Sequence, residues 1–261
     1  MTSSGTKSLI GQFERMHLNH IAAEHKTDDY CRHEFMRKLD KWTKKRKSKP
    51  SNSTGLPKTS TYTDVCADTR HKRCKYVIKV FQNSETGLLQ FAHELRTLKT
   101  LQDHRVDFVP AVHTAFVCKK YGLLVQDKWT GDILDLLFAQ KEDALEETFQ
   151  RAHHQAQLMM AELHRAQLCY GRNQIDFRNV IYCADPKCPD VMKSHHGFHL
   201  GLQDWRSARH ASDIFIAQDM HQINMLFMEI AHLVQAMRRK QPIPQHIPHG
   251  MRAKAEKLRE W

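Results

Sequence analysis

The chain has 261 residues, 40 Lys plus Arg against 29 Asp plus Glu, and a formal charge of +11. With 41% apolar and 26% charged residues it has the composition of a globular protein, which excludes a wholly disordered chain, a collagen-like fibre and a disulfide mini-scaffold. No apolar run reaches the 18 or so residues that cross a bilayer, and the first residues lack the apolar core of a secretory leader, so no membrane span is expected. Seven cysteines without a repeating spacing read as reduced thiols, and the expected location is intracellular, cytoplasmic or nuclear.

In chain order, residues 1–47 read as a helical, basic extension. Leu9, Ile10, Phe13, Met16 and Ile21 suggest one apolar stripe, and Phe35, Leu39 and Trp42 a second. Residues 38–49 hold seven Lys and Arg with one Asp, so 6 of the 11 net charges sit in one segment. That segment reads as a nuclear-import signal, a nucleic-acid or polyanion patch, or a solvated basic linker. Residues 48–73, rich in Ser, Thr, Pro and Gly at their start, read as a flexible linker. From about residue 74 the pattern changes. Residues 76–81 predict a strand interrupted by Lys79, and 86–101 a helix with Phe91, Leu95 and Leu98 on one face. Residues 108–119 and 121–128 predict two more strands joined by a hairpin turn, and 143–166 a long helix. Residues 175–182 and 200–204 read as short strands, and 219–240 as a last apolar helix. Strands first and helices later give an α+β fold class.

A lysine inside an apolar strand is costly unless its ammonium has a partner. Glu94, fifteen residues on and set among Phe91, Leu95 and Leu98, is the candidate. The plain alternative is a surface lysine and an unrelated glutamate. Later segments bear on the choice. Tyr121 to Leu137 looks like a strand, hinge and helix. Leu163-His164-Arg165-Ala166 is followed by Gln174-Ile175-Asp176-Phe177-Arg178-Asn179, then by Leu202-Gln203-Asp204-Trp205-Arg206-Ser207-Ala208, and then by a helix led by Asp219.

These fragments, in this order over residues 76–230, resemble the divergent protein-kinase-like superfamily, of the atypical or viral Ser/Thr kinase or pseudokinase type. The resemblance implies a two-lobed fold over 74–261, with an N-lobe at about 74–128, a shortened C-lobe at about 129–261 and the helical extension ahead. It implies that Lys79 contacts the α/β-phosphates of ATP and Glu94 orients it, that Asn179 and Asp204 hold Mg²⁺, and that residues 126–129, Gln126 and Lys128 included, offer backbone groups to adenine. Asp219 would brace the catalytic loop from behind. The implied function is ATP/Mg²⁺-dependent phosphorylation of protein Ser/Thr. A nucleotide-binding pseudokinase that scaffolds a protein partner is the alternative, and a nucleic-acid-associated accessory protein using residues 38–49 a third.

The departures from that family are specific. No glycine occurs between Ser60 and Lys75, so the phosphate-covering Gly-rich loop is missing. Gln174 occupies the position of the catalytic base and cannot accept a proton; Asp176 is the nearby carboxylate. Arg206 replaces the glycine after the metal-binding Asp, and no A-P-E segment follows. Between Asn179 and Asp204, Cys183 and Cys188 with His195 and His199 are of the residue types that bind zinc, though a flexible polar hairpin is the better reading.

Overall fold

The computed structural model describes residues 60–65, 76–82, 84–118, 121–171, 175–184 and 197–259. The helices expected before residue 48, the basic segment 38–49 and most of the expected linker lie outside these residues. The described chain is α+β, with antiparallel sheets and five α-helices. No described helix is long and apolar enough to cross a membrane. The described residues divide into two compact units, one containing those up to Leu98 and those in Ala111–Lys128, the other those in Lys99–Pro110 and those from Trp129 onward.

The first unit is built on a four-stranded sheet in the order β1-β2-β4-β3: β1 is Ser60–Val65, β2 Tyr76–Gln82, β3 Val112–Cys118 and β4 Tyr121–Asp127. Strand β1 falls inside the stretch expected as linker. Its Thr-Tyr-Thr run is β-branched and aromatic, which suits a strand despite its polarity. Helix α1, Glu85–Asp103, carries the expected apolar stripe, with Phe91, Leu95 and Leu98 buried. One glycine sets how closely α1 approaches the sheet. Gly122 of β4 pairs with Phe81 of β2, and a Cβ on Gly122 would lie 2.7 Å from Cγ of Phe91. Phe91 therefore rests on bare backbone and meets Phe81 edge-on at 5.4 Å. Gly122→Val is expected to lose about 1–3 kcal/mol by overpacking, read as a lower urea midpoint with an unchanged slope. A midpoint equal to wild type would show that Phe91 is not held there.

The second unit opens with β5 (Gly131–Asp132) and α2 (Ile133–Phe138), whose N-terminus is closed by a capping box between Asp132 and Asp135. Helix α3, Glu142–Arg165, follows, with Leu145, Phe149, Ala152, Ala156, Met159 and Leu163 buried along one face, all six expected there. Then come β6 (Leu168–Cys169), a 3₁₀ turn (Phe177–Asn179), β7 (Val180–Cys183), β8 (His199–Leu202) and β9 (Arg209–His210). Strands β5, β7 and β8 form one sheet, and β6 pairs with β9. Gly201 of β8 leaves room for the indole of Trp129, which a Cβ would meet at 2.3 Å.

Helix α4 spans Asp213–Arg238, six residues earlier at its start than the apolar pattern indicates. Ser212 supplies the N-cap, and the Arg209 guanidinium lies 4.4 Å from the Phe215 ring centroid. Asp219 consequently sits in the second turn rather than at the head of the helix. His153 is half-buried and stacks on Phe227 of α4 at 4.7 Å. Helix α5, His249–Arg259, buries Met251 and Ala255. Its Lys254 reaches Asp135 at 2.6 Å and also pairs with Asp132. Burial pushes the Asp132 carboxyl above its usual range, against the opposing pull of Lys254.

Candidate functional site

In the first unit, Lys79 and Glu94 meet as the sequence suggests. The Lys79 Nζ donates to Glu94 Oε1 at 2.8 Å and Oε2 at 2.6 Å, with the two side chains 0% and 1% exposed. Local structure explains the meeting. Phe91 and Glu94 are three residues apart on α1, hence on one face, and Lys79 and Phe81 share a face of β2. The contact of Phe91 with Phe81 and Gly122 thus aims Glu94 at Lys79, whose ammonium also lies 5.1 Å from the Phe81 ring centroid. Gln126 is buried in β4, an interior strand flanked by Val77 of β2 and Val112 of β3. The backbone N–H of Asp127 donates to Ala111 O at 3.0 Å. Lys128 follows the strand and is exposed.

In the second unit, Asp219 is a fully buried hub. Its Oδ2 accepts the backbone N–H of Tyr170 at 2.7 Å and lies 3.2 Å from His164 Nε2; its Oδ1 accepts the N–H of Gly171 at 3.1 Å. Gly171 has φ +69°, and a Cβ there would lie 2.4 Å from Ser207 O, so a glycine is required. Cys169 completes a group in which His164, Cys169 and Asp219 each bring a possible metal-ligating atom within 4.8 Å of the others. The carboxylate, however, is already used by two backbone donors. Burial, reinforced by the Asp219 charge, pushes the Cys169 thiol up, so it stays protonated. The group is built to hold the start of the loop against α4.

Residues 176–179 are held by a neighbour of their own. Gln203 donates its backbone N–H to Asn179 O at 3.0 Å and its side-chain Nε2 to Arg178 O at 2.7 Å, while its carbonyl accepts the Tyr170 hydroxyl. Asn179 is 7% exposed, and its Oδ1 accepts the backbone N–H of Asp176 at 3.1 Å. Asp176 caps the 3₁₀ turn in return, which is why residues 175–179 do not continue the strand expected there. The Asp176 carboxylate also takes Arg178 Nε at 2.7 Å and Nη2 at 2.8 Å, which holds the Arg178 guanidinium above its ordinary pKa. Gln174 lies outside the described residues.

Asp204 has φ +73°. Of the four non-glycine residues with positive φ among the described residues, Arg105, Gln167 and Lys240 each follow a helix, where the left-handed conformation closes the last turn. Asp204 follows strand β8, so no helix end accounts for it. Left-handed backbone at a polar residue outside a cap is a feature of functional sites. Both oxygens of Asp204 are engaged by Arg206, Oδ1 by Nε and Oδ2 by Nη2 at 2.6 Å. Trp205 between them is fully buried, edge-on to Tyr170 at 5.2 Å.

Of the zinc-type residues, Cys188 and His195 lie outside the described residues, and His199 Nε2 lies 3.2 Å from the Asp107 carbonyl oxygen. The two arginine pairings and the Gln203 clamp were not anticipated from the sequence; the repeated acid–aromatic–arginine spelling at 176–178 and 204–206 is the signal that foreshadows the pairings. No protein-family model matches the chain, and no curated protein matches it.

Proposed function

We propose that this chain is a nucleotide-binding protein on a two-lobed, protein-kinase-like plan, and that nucleotide binding rather than phosphoryl transfer is the property it retains. In this reading Lys79, oriented by Glu94, is the group that meets the phosphates. The Lys79–Glu94 pair carries the reading. A buried ion pair is no more stabilising than a well-packed apolar pair of similar volume, so its presence mid-strand and mid-helix calls for a use beyond stability. The Asp219 hub and the left-handed Asp204 support it, since both hold polar groups in fixed, otherwise costly arrangements.

Weak or absent transfer follows from the neighbouring chemistry. Asp176, the carboxylate two residues after Gln174 in the sequence, is tied up as a helix cap and as the partner of Arg178. A group so engaged gives little general-base help, which is worth about 10²- to 10⁴-fold in rate where it operates.

Thermal unfolding with added ligand tests the binding. ATP at about 100 times its Kd is expected to stabilise the fold by about 2.7 kcal/mol, a rise of roughly 5–10 °C in Tm for a chain of this size. Adenosine, lacking phosphates, is expected to give a much smaller rise. Equal rises with adenosine and ATP, or none with either, would remove the proposal.

A further inference from the structure

Asp176-Phe177-Arg178 and Asp204-Trp205-Arg206 are two copies of one sequence pattern, and their side chains pair alike although Asp176 is extended and Asp204 left-handed. In each the middle aromatic is buried, at 4% and 0% exposure, and the arginine turns back to take both oxygens of the acid two residues before it. Each carboxylate is thereby neutralised by its own guanidinium. A resident Mg²⁺ at Asn179 and Asp204, which the kinase resemblance implies, requires about six oxygen ligands at near-octahedral geometry and is drawn in by uncompensated negative charge. The donor set does not fit that ion. Both Asp204 oxygens face Arg206, and Asn179 Oδ1 accepts a backbone N–H. Arg206 is the more exposed of its pair, 24% against 9%, so a ligand arriving from solvent meets the cation before the carboxylate.

We infer that Arg206 takes the place of the divalent metal, so that this chain binds the phosphates of a nucleotide through a guanidinium and without a metal ion. The inference rests on the proposed nucleotide binding and adds its cation. An arginine is suited to this role because its planar fork stays charged and matches phosphate oxygens in pairs. Asp204 then acts as a positioning residue that fixes the guanidinium, and its left-handed backbone sets the direction in which the pair points.

The test is ATP titration of the full chain in excess EDTA and in excess Mg²⁺, followed by thermal unfolding. Wild type is expected to bind with equal affinity in both. Arg206→Gly is expected to lose about 10- to 100-fold in EDTA and to become Mg²⁺-dependent. Arg206→Gln, close to arginine in shape along its stem, is expected to show the same loss in EDTA, which guards against a folding defect of the glycine variant. Wild-type binding that appears only with Mg²⁺ overturns this inference and leaves the proposed function standing; no binding in either condition overturns both. A second readout needs no nucleotide. Mn²⁺ followed by its paramagnetic resonance signal is expected to remain free with wild type and to bind Arg206→Gly, and binding to wild type would overturn the inference.

Discussion

Lys79→Met alone is expected to cost about 3–5 kcal/mol, because it leaves the Glu94 carboxylate buried at 1% exposure without its partner. Glu94→Leu alone is expected to cost a similar amount by orphaning the ammonium. The pair Lys79→Met with Glu94→Leu should recover most of that loss, and this apolar replacement of similar volume is expected to end as stable as wild type or more so. Urea denaturation of the four proteins gives the coupling energy directly, since the two residues touch and their effects are not additive. The double variant also separates structure from use: it should fold and fail to respond to ATP. A stable double variant that still shows the full ATP shift would mean that the pair serves packing alone.

The second large effect is expected at Asp219. Asp219→Leu removes the acceptor of two buried backbone N–H groups, those of Tyr170 and Gly171, and of the His164 ring. Each buried donor left without a partner costs about 1–3 kcal/mol, so the loss should reach about 2–6 kcal/mol. Asp219→Asn keeps one carbonyl oxygen and should fall between that variant and wild type. A loss below about 1 kcal/mol in the leucine variant would mean that the loop finds other acceptors and that Asp219 is not its anchor.

The parts of the site that could be read from the sequence are those where a residue type conflicts with its neighbourhood. Lys79 in an apolar strand and Glu94 on an apolar helix face each pose a local problem that only a partner solves, and each is buried with one, whereas Asp219 was singled out only by the family resemblance. Helix α3 was legible because its six apolar positions keep one period over 24 residues. Helix α5 was not, because its sequence is mostly polar and charged, with Met251 and Ala255 the apolar positions buried among its described side chains. The start of α4 was hidden for the same reason: Ile214 is exposed, and the helix begins at the Ser212 cap rather than at its apolar stripe. The left-handed turn at Asp204 escaped because no periodicity reports one dihedral angle.

The Lys254 contacts set an order of events. Asp132 caps α2 near the start of the second unit, and its partner arrives 122 residues later on α5, whose Gly250 and Lys254 also lie against the Phe177 ring of the loop. During synthesis, a chain grown only to residue 248 holds the residues of the Asp219 hub and of both arginine pairs, yet Asp132 and Asp135 still lack their cation. Contacts this distant in sequence form late, because loop closure must come before any gain. Emergence of α5 from the ribosome is then the step that finishes the second unit, and nascent chains stopped before it should be more readily cut by protease around residues 131–138 than chains stopped after it.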